Sequence, residues 1–122
     1  MAKQAIIYYI PSLIWAIIIY NLSTTAPENL PKFDLFSIDK IGHLCFYAAL
    51  VFLLLYPSTK ITIPFPFYPL LAIIIAGAYG IALEWVQAYL PNRSYDYADM
   101  IANFVGCIVG YFSFTLFKKI YY

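Results

Sequence analysis

Asp39, Lys40 and His43 open a polar series that resumes with Glu84 and Gln87 and closes with Arg93, Asp96, Asp99 and Asn103. Carboxylates beside an imidazole can move protons, and Lys40 and Arg93 can hold a phosphate or carboxylate. The spacings put these groups on shared helix faces. Asp39 and His43 are four apart, Glu84 and Gln87 three, and Asp96, Asp99 and Asn103 follow at three and four, which are the separations of neighbours on a helix surface. Four acids (Asp39, Glu84, Asp96, Asp99) meet two fixed cations, leaving two negative charges unbalanced while His43 is neutral. Crowded carboxylates relieve such a surplus by keeping a proton, charging a neighbouring imidazole or binding a cation, and the residues alone leave all three open. A deep carboxyl that keeps its proton, as Glu84 would, is a candidate general acid or base. The same groups could hold a divalent metal. Metal is the less favoured cofactor, because neither an HxxxH nor an HExxH spacing is present.

The elements that must position these residues follow from composition. Of the 122 residues 64% are hydrophobic and 11% charged, against roughly a quarter charged in soluble domains, and the mean hydropathy is +0.79. Four apolar blocks approach or exceed the roughly 18 residues of a spanning helix. The expectation is an all-α membrane protein, one domain over 1–122, with four transmembrane helices at about 5–22, 39–56, 68–90 and 96–117. Pro11 should kink the first, "STTAPENLPKFDLFS" and "PSTKITIPFPF" should be loops, and Asp39 and Asp96 occupy N-cap positions. The first block exceeds the roughly 7–15 apolar residues of a signal peptide, so it is read as a retained helix. Cys45 and Cys107 sit in apolar blocks as small hydrophobes. A net charge of +1 gives no electrostatic basis for nucleic-acid binding.

Lysine and arginine set orientation by their excess on the cytoplasmic side. Lys3, Lys60, Lys118 and Lys119 fall on one side, and Lys32, Lys40 and Arg93 on the other, which puts both termini in the cytoplasm and the polar cluster near the outer face. Glu84 lies six residues before Leu90, roughly 9 Å below the expected helix end at ~1.5 Å per residue. An ionisable group at a helix centre costs roughly 2.5–3.5 kcal/mol on insertion scales. Helix-bridging hydrogen bonds, worth about 0.6 kcal/mol on average, are the plainer explanation, with Asp39, Lys40, Arg93 and Asp96 as caps and headgroup anchors. Neither accounts for His43 and Glu84, which are deeper and cap nothing. Ala98, Ala102, Gly106 and Gly110 recur every four residues, a stripe over which another helix can approach closely.

The segments "DKIGHLCFYAAL" (Asp39 to Leu50) and "GIALEWVQAYLPNRSYDYADMIANFVGCIVG" (Gly80 to Gly110), and more loosely "YNLST", resemble the VanZ-like family of small bacterial membrane proteins. The resemblance implies a multi-pass protein of the bacterial cell membrane whose site residues are Lys40, His43, Tyr47, Glu84, Gln87, Arg93, Asp99 and Asn103. Asp96 is weighted less. It also implies a link to low-level resistance to the glycopeptide teicoplanin. The leading expectation is a hydrolase or transferase acting at the outer face on an envelope lipid or lipid-linked precursor. His43, Glu84 and Asp99 would be catalytic, with Asp39, Lys40, Tyr47, Gln87, Arg93, Asp96 and Asn103 binding substrate. A non-catalytic protein that binds or shields such a lipid is the alternative. A small proton-coupled transporter ranks last, because the fourth helix is apolar beyond Asn103. The expected partners are the bilayer and that lipid; oligomeric state is not legible.

Overall fold

A chain with so few charges has to satisfy its backbone internally, and helices do so within each segment. The computed structural model describes residues 2–24, 36–90 and 97–122, without the side chains of residues 2 and 36–39. Among the described residues all regular structure is helical: α1 (Ala2–Ile7), α2 (Ile10–Thr24), α3 (Phe36–Leu55) with a 3-10 turn at Tyr56–Thr59, α4 (Tyr68–Ala88) and α5 (Tyr97–Tyr121). Lys40–Thr59, Tyr68–Ala88 and Tyr97–Tyr121 are long and apolar enough to cross a membrane, and Ile10–Thr24 is a shorter apolar helix. Most of the loop expected between the first two spans lies outside the described residues, as do Arg93, Asp96 and the side chain of Asp39.

Three boundaries differ from expectation. The first span is two helices, broken at Tyr8–Tyr9 ahead of Pro11. A proline lacks the N–H for a helical bond and crowds the carbonyl four residues earlier. The chain accordingly tightens, with Tyr8 N–H donating to Ala5 O (3.2 Å) and Tyr9 N–H to Ile6 O (2.9 Å). α3 begins at Phe36, so Asp39 is the fourth helical residue rather than its cap. α5 continues past Lys118 and Lys119 to Tyr121, and lysines in a last turn suit the negative end of the helix dipole.

The contacts fix the bundle topology. Tyr79 OH donates to Ala16 O (2.6 Å) and Gln87 Nε2 to Ser23 O (3.0 Å), so α2 and α4 run parallel. Trp15 Nε1 donates to Phe46 O (2.9 Å), tying α2 to α3. The Tyr9 and Tyr68 hydroxyls meet at 2.8 Å, and Tyr68 OH also donates to Leu54 O. α3 and α5 form the most extensive contact and are parallel to each other, opposite in direction to α2 and α4. Their backbones touch: a Cβ on Gly106 would overlap the Leu44 carbonyl, and one on Gly110 the Ala48 carbonyl. Val51, Leu55, Ala76 and Cys107 fill the core. Large apolar side chains such as Ile14, Ile74, Ile108, Phe112 and Leu116 stay exposed, an outer surface suited to hydrocarbon rather than water.

Lys60 sits at the end where α5 terminates, donating to Tyr122 OH (2.9 Å). That bond raises the Lys60 pKa above its ordinary value and lowers that of Tyr122. Lys60, Lys118 and Lys119 therefore share one end of the bundle, and Lys40 lies at the other.

Gly106→Ala and Gly110→Ala should each destabilise the protein by about 1–3 kcal/mol, the usual cost of overpacking, read as a lowered thermal midpoint in detergent. Gly42→Ala, whose added Cβ meets nothing within 4 Å, should leave the midpoint unchanged or raise it, since alanine favours helix over glycine.

Candidate functional site

The end of the bundle where α3 and α5 begin is also where α4 ends. Lys40, His43 and Tyr47 lie on one face of α3, Asp99, Asn103 and Gly106 on one face of α5, and Gly80, Glu84 and Gln87 on one face of α4. Because α3 and α5 are parallel, their polar residues pair in register. Lys40 Nζ forms an ion pair with Asp99 Oδ1, and His43 Nδ1 lies 3.0 Å from Asn103 Oδ1. An amide oxygen only accepts, so Nδ1 carries the proton of that bond. The other ring nitrogen, Nε2, points to Asp99 Oδ2 at 3.7 Å, longer than a hydrogen bond.

Glu84 brings the third helix in. It is 2% exposed, and one ligand atom each from His43, Glu84 and Asp99 lie within 4.8 Å of one another. The side chains of Lys40 and Asp99 are 16% and 13% exposed, so the cluster is closed toward α4 and more open toward the helix starts. Tyr47 and Asn103 are buried behind it. Gly80 makes their approach possible: a Cβ there would come within 3.1 Å of both Asn103 Nδ2 and Tyr47 Cε1.

Of the residues singled out by sequence, the structure brings together Lys40, His43, Glu84, Asp99 and Asn103, with Tyr47 one turn deeper. Gln87 shares the face of Glu84 and is buried, yet its amide N–H goes to the Ser23 carbonyl and fastens α4 to α2. Asp39, Arg93 and Asp96 fall outside the described side chains. Two contributors were not foreseen. Gly80 lies inside the quoted segment, but its use shows only once Asn103 and Tyr47 are seen against it. Ser23 acts through its backbone, which leaves no mark on residue type.

Chemically the cluster offers an imidazole grouped with carboxyl groups from two other helices, one of which is paired with an ammonium. Such a set can shuttle a proton, hold a cation, or bind an anionic group at Lys40.

The VanZ/LLP1 family model matches residues 3–118, and the chain belongs to that family. Neither curated proteins nor solved structures gave a match. Family membership and the long apolar helices together make this a membrane-embedded protein.

Lys40→Met and Asp99→Asn should each cost about 1.5–3 kcal/mol, the range for hydrogen bonds to charged groups. The double substitution should cost clearly less than the two losses added, because contacting residues couple. Denaturant unfolding in mixed micelles measures the cycle, and strict additivity would show the pair to be energetically idle.

Proposed function

We propose that this VanZ/LLP1 family member acts at the outer face of the bacterial cell membrane, hydrolysing or transferring a group on a lipid-linked envelope substrate. The observation that supports it best is Glu84, a carboxyl 2% exposed that lies with His43 and Asp99 at one end of the bundle. An ionisable group that costs free energy to insert is a functional candidate within a membrane. In this proposal His43 and Glu84 exchange the proton of the attacking and leaving oxygens. Asp99 orients Lys40, which with Arg93 holds a phosphate or carboxylate of the substrate. Asn103 fixes the imidazole, and Tyr47, Gln87, Asp39 and Asp96 border the substrate.

The same proposal takes α1 and α2 together as a first membrane crossing, making four, with both termini cytoplasmic. It rests on the lysine distribution and on Lys60, Lys118 and Lys119 sharing one end of the bundle. A second possibility, binding or shielding of a lipid without catalysis, is favoured by an apolar groove of about 380 Å3 lined by Ile6, Leu13, Ala16, Leu54 and Tyr79. Catalysis and shielding separate by dose: trace expression suffices for an enzyme, whereas a shield acts in proportion to its amount.

Envelope lipids and peptidoglycan precursors should differ between a deletion strain and wild type, and Glu84→Gln should match the deletion. Identical mass-spectrometric profiles in all three sink the enzymatic proposal. In a host expressing matched membrane levels, wild type should lower teicoplanin susceptibility while His43→Ala and Glu84→Gln do not. Equal protection by both variants would make the cluster structural. For orientation, a reporter active only outside the cytoplasm should be silent when fused after Tyr122 and active when inserted between α2 and α3.

A further inference from the structure

We infer that His43 Nε2 and one carboxylate oxygen each from Glu84 and Asp99 bind a divalent transition metal, Zn2+ or Mn2+, at the polar end of the bundle. The inference concerns the site of the proposed function and revises its chemistry: with an ion bound, His43 and Glu84 would serve as its ligands, and an oxygen in the open coordination position would carry the proton that the proposal assigns to them.

Three observations converge on it. The three ligand atoms come from three different helices and lie within 4.8 Å of one another, so no local turn geometry brings them together. The two ligands whose contacts are known in detail are held from behind. His43 gives its Nδ1 proton to Asn103 Oδ1, Asp99 Oδ1 pairs with Lys40, and His43 Nε2 and Asp99 Oδ2 face each other. Metal-binding histidines and carboxylates are oriented in this way by partners on their outer atoms.

The third observation is the Nε2–Oδ2 separation of 3.7 Å. A hydrogen bond between the two would close it to roughly 2.8 Å. Ligand bonds of about 2.0–2.2 Å in a tetrahedral zinc site put neighbouring ligand atoms roughly 3.3–3.5 Å apart. The observed spacing is a few tenths of an ångström beyond that, and the Glu84 ligand atom lies within 4.8 Å of the other two.

The donor set chooses the ion. Imidazole suits Zn2+ and the later transition metals, carboxylates suit Mn2+ and harder ions, and one nitrogen with two oxygens falls between. Two carboxylates offset the ion's charge, and the Lys40 ammonium pairs with Oδ1 of Asp99. Three protein ligands leave a coordination position open, the arrangement of catalytic rather than structural zinc.

The test is metal stoichiometry, with a purification tag free of histidine. Protein in detergent is incubated with Zn2+ or Mn2+ alone, desalted, and analysed for metal. Wild type should retain about one equivalent of at least one ion, and His43→Ala and Glu84→Gln less than about a tenth. Asn103→Leu should bind about 10–100-fold more weakly, the usual loss when an outer partner is removed. Wild type retaining no more than His43→Ala overturns the site, as do well-folded variants that retain the wild-type amount. If the variants do not fold, X-ray absorption on zinc-loaded wild type decides. The chain has a single histidine, so one imidazole in the first shell supports the site, and none or two overturns it. A protein that binds neither ion yet changes the lipid profile would sink this site and leave the proposed function standing.

Discussion

The backbone contact between α3 and α5 governs the arrangement of the rest. Lipid chains are as apolar as leucine, so helices in a membrane are held together by close packing and hydrogen bonds rather than by exclusion of water. Gly106 against Leu44 and Gly110 against Ala48 supply that closeness, with no room for a single added carbon. Because the two helices are parallel, the contact also sets a register. From Leu44 opposite Gly106, the next pairs toward the helix starts are His43 with Asn103 and then Lys40 with Asp99. A shift of α5 by one residue would turn each of its side chains by about 100° at 3.6 residues per turn, taking Asp99 and Asn103 away from their partners together. The packing seam and the polar cluster are thus one constraint seen at two depths.

α4 can complete the cluster because it runs the other way. Its closing turns reach the end where α3 and α5 begin, and Gly80 lets its backbone come close enough for Glu84 to join His43 and Asp99. α2 is fastened differently. Trp15, Tyr79 and Gln87 each cross a helix boundary to a backbone carbonyl, at Phe46, Ala16 and Ser23. A polar side chain in hydrocarbon without a partner costs several kcal/mol, and a carbonyl already bonded in its helix retains a second lone pair to accept with. These bonds position α2 without requiring a complementary side chain on either partner.

Much of this was legible in the chain. The three- and four-residue spacings of Asp99, Asn103, Glu84 and His43 report a helix face directly, and the Ala98–Gly110 stripe reports a packing surface. What was hidden has physical reasons. The break at Tyr8–Tyr9 depends on how far before Pro11 the helix yields, and either tightening or bending would satisfy a proline. The start of α3 at Phe36 is set ahead of Asp39, the residue that resembles a cap. Gln87 was read with Glu84 because the two share a face, but its donor goes to a carbonyl that any residue at position 23 would have offered. The grouping of His43, Glu84 and Asp99 is not one that an HxxxH spacing can report. That spacing reports two ligands on one helix and is blind to ligands gathered from three.

The position of the cluster limits what can use it. Among the described residues the polar stripe on α5 ends at Asn103; Gly106, Cys107, Gly110 and Phe114 continue the same face buried against α3 and α4. The polar face of α5 therefore stops at one end of the bundle, which supports the proposed chemistry or binding there over transport. The side chains of His43, Lys40 and Asp99 are 18%, 16% and 13% exposed and Glu84 is 2% exposed, so a molecule approaching the cluster would meet the first three before Glu84. The outer surface of the bundle is apolar, with Ile101, Val105, Ile108 and Trp85 exposed around the same helices. A molecule with a polar head and a hydrocarbon tail can meet both surfaces at once, the head at the cluster and the tail along the helices. A fully water-soluble one gains nothing from the second surface, and this pairing of surfaces is what the proposed lipid-linked substrate would use.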